Sequence, residues 1–145
     1  MDILIDTDVL VRRVSRHHPE HKIVRDAIKR LQGNGQRVCV VAQNLYELWV
    51  VCTRPRESRG LGLIPSQADK VLARIERSLT LLQDPSGLYT QWRTLVVQQE
   101  VSGRKAHDTR LVAAMNLHGI TSILTFNVDD FRRYPNIAVL RPGQV

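Results

Sequence analysis

The sequence predicts an α/β fold in which a mostly parallel sheet of four to five strands lies between helices, in three α/β/α layers. Apolar runs of four to six residues alternate along the chain with segments whose apolar residues recur at helical spacing. Such runs are typical of parallel strands buried on both faces. With 145 residues and 43% apolar composition, the chain is large enough for one domain with a substantial core.

The first segment reads as a strand followed by two helices. Residues 3–5 form a short apolar strand, and Thr7 or Asp8 is expected to cap the helix that follows. Pro19 is well placed to start the second helix, which ends at the "GNG" of residues 33–35. The apolar face of this second helix is expected to contain Ile23, Ala27, Ile28 and Leu31.

The middle of the chain contains two further strands and two further helices. "RVCVVA" (37–42) is the second strand, and "QNLYELWVVCT" follows as a helix that ends before Pro55. After a basic loop rich in Gly and Pro, Ser66 is expected to cap the next helix. "LTLLQD" (79–84) is the third strand.

The last third of the chain completes the alternation. Residues 86–101 and 106–118 are predicted helices, separated by "SGRK", and Gly119 stops the second of them. "ITSILTF" is the fourth strand and "IAVLRP" is a short fifth. The carboxyl ends of all these strands are expected at one edge of the sheet, where parallel α/β folds bind their ligands.

Composition narrows the possible functions. Twenty-one Lys and Arg residues against fourteen Asp and Glu give a net charge of +7, which favours a polyanionic partner, although many small proteins are simply basic. Cys39 and Cys52 lie in apolar stretches and read as core residues rather than a disulfide or zinc ligands. With neither a leader-like start nor an apolar run long enough for a membrane span, we expect a soluble cytoplasmic protein.

Acidic and amide side chains follow two of the predicted strands. Asp6 and Asp8 come directly after the first strand, and one of them is free for another role if the other caps the helix; Asp6 is our choice for that role. Asn127, Asp129 and Asp130 come just after the fourth strand, where a capped turn would look the same. Acids at two strand ends favour a shared site.

Two more acids lie on predicted helices. Glu47 is the one charged residue among the sixteen from Val38 to Thr53, so we expect it to be buried and to need a partner. That partner is either an arginine such as Arg54 or a metal site. Asp108 lies in the first turn of its helix, where the helix dipole favours an acid, but it shares the apolar face of that helix.

Together these acids predict a carboxylate cluster that holds a cation. Converging carboxylates raise one another's pKa unless a divalent ion lies among them, and hard oxygen ligands select Mg²⁺ or Mn²⁺. In a basic protein such a site indicates phosphate chemistry. Contacts with a phosphate backbone are expected from several basic residues, although a solvated basic face is the preferred interpretation for any single one of them: Arg12, Arg13, Arg54, Arg56, Arg104 and Lys105.

The chain resembles the PIN domain family, in the subgroup of VapC-like toxins from toxin–antitoxin pairs. Four blocks carry the resemblance, and they have the family's order and spacing: "ILIDTDVLV", "NLYELWVV", "AHDTRLVAAMNLHGI" and "ILTFNVDDFRRYPNIAVLRP". The resemblance implies a single PIN-like nuclease domain over residues 1–145 and Mg²⁺-dependent endonucleolytic cleavage of RNA, with Mn²⁺ as a substitute. It also implies a homodimer and a small cognate antitoxin whose arm enters the acidic groove.

The resemblance also assigns roles to individual residues. It implies that Asp6, Glu47, Asp108 and Asp130 are the catalytic and metal-binding acids, with Asp129, Asn127 and Asp8 as further candidate ligands. Relatives commonly carry Asn where this chain has Asp8, so Asp8 either adds a ligand or caps the helix.

Two other functions remain open at this point. Asp6-Thr-Asp8 also resembles the nucleophile motif of haloacid-dehalogenase phosphatases, with Asp6 as the nucleophile, although that motif expects Thr or Val at Leu10. The other alternative is a non-catalytic RNA-binding module that has kept the PIN fold.

Overall fold

Five parallel strands form the centre of the fold in the computed structural model, which describes residues 1–145. They lie in the order β3-β2-β1-β4-β5 and comprise β1 (Asp2–Ile5), β2 (Arg37–Val41), β3 (Thr80–Leu82), β4 (Ser122–Leu124) and β5 (Ala138–Leu140). All four strand pairs are parallel. The helices between them are α1 (Thr7–Val14), α2 (His21–Gly33), α3 (Ala42–Thr53), α4 (Pro65–Ser78), α5 (Leu88–Gln98) and α6 (Lys105–His118).

The helices cover both faces of the sheet and bury a separate apolar layer on each. Alternate residues of β1 point to opposite faces, so Ile3 and Ile5 pack into the layer beneath α1, α2, α3 and α4. Leu4 packs into the other layer, beneath α5 and α6. The predicted three-layer α/β/α class, with a parallel sheet of up to five strands, is therefore confirmed.

The strand order defines where a ligand can bind. From β1 the chain moves outward to β2 and β3, and it then returns to place β4 on the other side of β1. The crevice beyond the carboxyl ends of β1 and β4 is the topological switch point of the sheet, the usual position for a site in such folds. Leu4 and Ile5 pair with Ile123 and Leu124, so both strands end at the same level.

Three helix details differ from the sequence predictions. Helix α2 begins at His21, two residues after Pro19. Ile23 is 43% exposed, because the buried face of this helix consists of Val24, Ala27, Ile28 and Leu31. Helix α4 begins at Pro65 rather than after a Ser66 cap, and the side chain of Gln67 accepts a hydrogen bond from the amide of Ile64. A proline at the first helical position lacks the amide that would go unpaired there.

Other predictions from composition are confirmed by the structure. Cys39 and Cys52 are buried, free thiols within the core. Gly119 ends α6 with a left-handed φ of 71°, as predicted from its position. None of the six α-helices combines the length and apolar character that crossing a membrane requires.

Candidate active site

Asp6 lies at the switch point and is held from both sides. Its Oδ1 accepts a hydrogen bond from the amide of Thr7 at 2.8 Å, and its Oδ2 accepts one from Thr125 Oγ1 at 2.7 Å. The side chain is 6% exposed. Asp6 is also the N-cap of α1, so the prediction that Thr7 or Asp8 caps this helix is wrong. The capping residue and the strand-end acid are one and the same.

Asp8 binds the loop that follows β4. Its Oδ2 accepts a hydrogen bond from the amide of Phe126 at 3.1 Å, while its Oδ1 is buried without a hydrogen-bond partner. Burial raises the pKa of this carboxyl group. Asp6 and Asp8 therefore hold two successive residues of the same loop, Thr125 and Phe126, and an acceptor atom of Asp8 remains unused.

Glu47 is held by two polar residues linked by hydrogen bonds and not by an arginine. Thr7 Oγ1 donates to Glu47 Oε1 at 2.8 Å, and Asn44 Nδ2 donates to the same threonine hydroxyl at 3.2 Å. Arg54, the predicted ion-pair partner, is exposed and forms no ion pair. The expectation that Glu47 is buried is also wrong, since it is half-buried on α3.

The apolar sequence around Glu47 does not enclose α3 on every side. This helix is packed on one face only, and Tyr46 and Val50 are 66% and 52% exposed on the other. Exposed apolar side chains are common on folded proteins, so an apolar helix need not be enclosed on every side.

Asp108 completes the cluster from the other layer of helices. It lies in the first turn of α6 and its side chain forms no hydrogen bond or ion pair. Burial raises the pKa of Asp108 to about 7, with further contributions from the charges of Asp6, Asp130 and Glu47. The charge of Asp108 therefore interacts with those of the other three acids chosen from the sequence.

Asp6 experiences the same crowding of negative charge. Burial raises its pKa to about 7, and the charges of Asp8 and Glu47 add to the rise, although the hydrogen bonds from Thr125 and Thr7 oppose it. Two carboxyl groups that ionise only near neutral pH, close to the same edge of the sheet, are typical of functional sites.

The fourth sequence block presents its three candidates differently. Asp130 is half-buried and contributes to the raised pKa of Asp108. The side chain of Asp129 is 82% exposed and forms an ion pair with Arg132 at 2.9 Å. Asn127 is exposed, and its backbone amide donates to Thr125 Oγ1 at 3.0 Å. Only Asp130 of the three interacts electrostatically with the central acids.

The donor set fits a hard divalent cation in chemistry but does not form a closed shell. No three acidic, histidine or cysteine side chains lie close enough to one another to hold a metal ion by themselves. Mg²⁺ commonly binds through one or two carboxylates and completes its shell with water and substrate phosphate oxygens. Asp6 and Asp108, whose charges repel each other, are the pair that such an ion would stabilise most.

The predicted basic residues fall into three settings, of which Arg12 is the most enclosed. Its Nε donates to Glu20 at 2.9 Å, its other nitrogen donates to the Asp8 carbonyl, and its Cζ lies 4.4 Å from the centre of the Phe126 ring. The guanidinium of Arg12 therefore connects α1 to the loop after β4 and supports Asp8.

Arg13 and Arg56 instead line a cavity of about 1010 Å³ between the end of α1, the loop before α4, and α4 itself. Six arginines and two histidines line it together with an apolar floor, and no acid does. None of the six arginines forms an ion pair. Burial and the charges of nearby arginines lower the pKa of Arg13. An unpaired cluster of this kind attracts an anionic partner.

Arg54, Arg104 and Lys105 are exposed and free of ion pairs. Lys105 begins α6 and Arg104 precedes it, so both lie within one turn of Asp108. They are the predicted basic residues nearest in sequence to an acid of the cluster.

Sequence reasoning missed the residues that support the acids. Thr125 is buried and holds Asp6, while Thr7 and Asn44 position Glu47. Asn44 also accepts a hydrogen bond from the amide of Val41 at 2.9 Å, which joins β2 to α3. A signal was available, because Thr125 follows β4 as Asp6 follows β1, and a polar residue at the end of a buried strand needs a partner.

Replacing Thr125 by valine should destabilise the protein by about 1–3 kcal/mol, because a buried Asp6 oxygen and the Asn127 amide both lose their partner. Urea unfolding at neutral pH measures the effect. Thr94→Val is the matched control, since its hydroxyl binds only the carbonyl of Thr90 on the exposed side of α5. Equal midpoints for the two variants would contradict the role assigned to Thr125.

The fold and its acidic edge define an α/β protein with a carboxylate site at the switch point of a parallel sheet. Residues 3–137 match the family model of the PIN domain, and the chain belongs to the PIN domain family. The family resemblance noted in the sequence is thereby confirmed, and the match is not to the haloacid-dehalogenase phosphatases. No curated protein sequence matches the chain significantly.

Solved structures share this fold at low sequence identity. VapBC2 from Rickettsia felis, bound to a DNA fragment from its promoter, superposes with a TM-score of 0.72 at 16% identity over 97% of this chain and 98% of that one. DNA-bound VapBC from Salmonella typhimurium gives 0.71 at 17% identity over 98% of each chain. VapC20 from Mycobacterium tuberculosis, a toxin that cleaves the Sarcin-Ricin loop, gives 0.63 at 18% identity over 88% and 92%.

Proposed function

We propose that this chain is a divalent-metal-dependent endoribonuclease and the toxin of a type II toxin–antitoxin pair, with residues 1–145 as its single nuclease domain. The observation that carries the proposal is the meeting of Asp6 and Asp108, both with a pKa of about 7, at the switch point of a PIN fold. A strongly basic chain that gathers its acids at one edge suits a polyanionic substrate.

Asp6 and Asp108 would hold the cation, which is Mg²⁺ with Mn²⁺ as a substitute. Glu47 and Asp130 would complete the cluster. A divalent ion bound there supplies charge stabilisation to the phosphoryl oxygens and makes water a stronger nucleophile at neutral pH. Thr125 and Thr7 fix the two oxygens of Asp6, so this carboxylate is oriented before any ligand arrives. Asp8 binds the loop after β4 and is a candidate for a further ligand.

Glu47 is the acid best placed to take a proton. Its Oε1 is held by Thr7, while its Oε2 forms no hydrogen bond within the protein. In the proposed reaction, a water oxygen attacks the phosphorus in line with the leaving oxygen, and Oε2 of Glu47 accepts the water proton. The bond from phosphorus to the leaving oxygen breaks, and that oxygen takes a proton from solvent.

Basic side chains around the acids would hold the RNA backbone. Arg54, Arg104 and Lys105 are exposed and unpaired, so they are free to contact phosphates. Arg12 would contribute indirectly, because its guanidinium is already bound to Glu20 and the Asp8 carbonyl.

A small cognate antitoxin is the protein partner we propose. The arginine-lined cavity beside α4 supports it, because an apolar floor ringed by unpaired arginines suits an acidic amphipathic segment. The similar VapBC structures from Rickettsia felis and Salmonella typhimurium contain such pairs. We further propose a cytoplasmic homodimer, for which the exposed Tyr46 and Val50 of α3 offer an apolar contact face.

Cleavage of a structured RNA in Mg²⁺ or Mn²⁺ tests the proposed activity. The wild-type chain should cut internally, and EDTA or Asp6→Asn should abolish cleavage, since one removes the ion and the other a ligand charge. Asp69→Asn on the exposed side of α4 is the matched control and should cut normally. Equal cleavage by wild type and Asp6→Asn would sink the metal-site proposal. If the wild-type chain and both variants bind RNA but none of them cuts it, the result would favour the non-catalytic RNA-binding module.

A further inference from the structure

A second cleft of about 480 Å³ lies beside the start of α6, outside the acid cluster. It is lined by Asp84, Pro85, Leu88, Tyr89, Trp92 and Arg110. Tyr89 and Trp92 form the single aromatic pair of the protein, with ring centres 6.0 Å apart and planes tilted by 34°. Tyr89 is 66% exposed. The cleft therefore presents an aromatic face to its surroundings.

Hydrogen bonds fix this cleft to the segment that carries Asp108. Trp92 Nε1 donates to the carbonyl of Ala106 at 2.8 Å, which anchors the indole ring to the first turn of α6. Gln43 Nε2 donates at 2.8 Å to the carbonyl of His107, the residue immediately before Asp108. Trp92, on α5, is thus anchored to the turn of α6 that carries Asp108.

Arg110 extends this network to the far wall of the cleft. One of its nitrogens donates to Gln43 Oε1 and another to Asp84 Oδ2, each at 3.0 Å. The planar guanidinium is therefore held by two partners at the edge of the cleft. The lining is preorganised for a ligand, because its polar members already have fixed positions.

The charge of the lining selects a class of ligand. Arg110 and Asp84 neutralise each other, and no other charged residue lines the cleft. A phosphate group would find no net positive charge here, in contrast to the arginine-lined cavity. A neutral planar ring would find an aromatic face to stack on, and hydrogen-bonding groups of both kinds at its edge.

We propose that this cleft is a nucleobase subsite, in which Tyr89 and Trp92 stack an unpaired base of the RNA substrate close to the phosphate that is cut. The inference rests on the proposed function. Arg104 and Lys105 are exposed at the start of α6, next to the Ala106 carbonyl that binds Trp92, and would hold neighbouring phosphates. The subsite would make cleavage prefer single-stranded positions, whose bases can leave their own stack.

Binding of a single-stranded oligoribonucleotide to the Asp6→Asn chain isolates this step from cleavage. Adding Tyr89→Ala should weaken binding about 5- to 100-fold, the range for loss of one stacked base. Tyr89→Phe should bind normally, and Tyr89→Leu should bind weakly because it keeps apolar area without a ring. Val97→Ala is the control at the other end of α5, 70% exposed and distant in sequence from the cleft.

An abasic scan of the oligonucleotide identifies the stacked base. One position should weaken binding to the parent chain and cause no further loss with Tyr89→Ala, since both changes remove the same contact. Additive losses at every position would overturn the proposal. So would a shift from dimer to monomer on Tyr89→Ala in light scattering, because the cleft would then be an interface between copies. Failure of the nuclease itself would be distinguishable, since the wild-type chain would then cut no RNA.

Discussion

Asp108→Asn should strongly reduce the rate of RNA cleavage and at the same time make the metal-free protein more stable at mildly alkaline pH. The loss of rate is expected to be at least about 100-fold, as for removal of one group that stabilises charge in a transition state. The gain arises because Asp108 has no hydrogen-bond partner and a pKa raised to about 7 by burial and three neighbouring acids. We expect about 1 kcal/mol, a value discounted for the partial exposure of the group.

Two measurements check this pair of effects on the same sample. Cleavage is followed with a labelled RNA, and the free energy of unfolding is taken from urea titration in EDTA. Asp69→Asn removes one charge from an exposed position on α4 and should change neither quantity. A variant that loses activity and also loses stability would show that Asp108 is structural rather than part of a strained charge cluster.

Acidification should switch cleavage off within the range in which Asp6 and Asp108 gain protons. Both groups have a pKa of about 7 and must be ionised to hold a cation, so the rate at limiting Mg²⁺ should fall about ten- to 100-fold for each pH unit below neutrality. Raising the Mg²⁺ concentration should move the midpoint to lower pH, because the cation and the protons compete for the same oxygens. A profile that is independent of Mg²⁺ concentration would contradict this linkage.

The stability of the metal-free protein should change with pH in the opposite sense. In the folded chain the pKa values of Asp6 and Asp108 are raised from the ordinary 3.8 to about 7. Between pH 3.8 and about 7 the folded chain therefore binds more protons than the unfolded one. The stabilisation is complete at low pH and is lost as pH rises through about 7. Urea midpoints at a series of pH values measure this slope, which Asp108→Asn should reduce.

Much of the fold is readable from the sequence, because buried parallel strands require continuous apolar runs. The apolar runs at residues 3–5 and 37–41 can be buried on both faces only between two layers of helices. Both runs form strands in the interior of the sheet. Helix boundaries were less readable, since they depend on which side chain reaches an end amide. Ser66 and Gln67 are equally plausible caps in sequence, and only the folded backbone brings Gln67 to Ile64.

The acids of the candidate site stood out in the sequence, whereas the residues that support them gave only a weak signal. Asp6 stands out because a carboxylate interrupts an apolar run, whereas Thr125 looks like an ordinary strand residue. Its importance comes from a contact 119 residues away, and such pairings are set by topology rather than by local pattern. Glu47 was overestimated as a buried charge, since its apolar neighbours Tyr46 and Val50 face outward.

The hydrogen bonds that Thr125 and Phe126 donate to Asp6 and Asp8 join the loop after β4 to the start of α1. During synthesis Asp6 leaves the ribosome well before Thr125, whose hydroxyl holds it, because the two residues are 119 positions apart. A nascent chain that stops before β4 lacks the strand that borders β1 on that side and the threonine that orients Asp6. The order of translation itself therefore delays assembly of the acidic edge until β4 and Thr125 have been made.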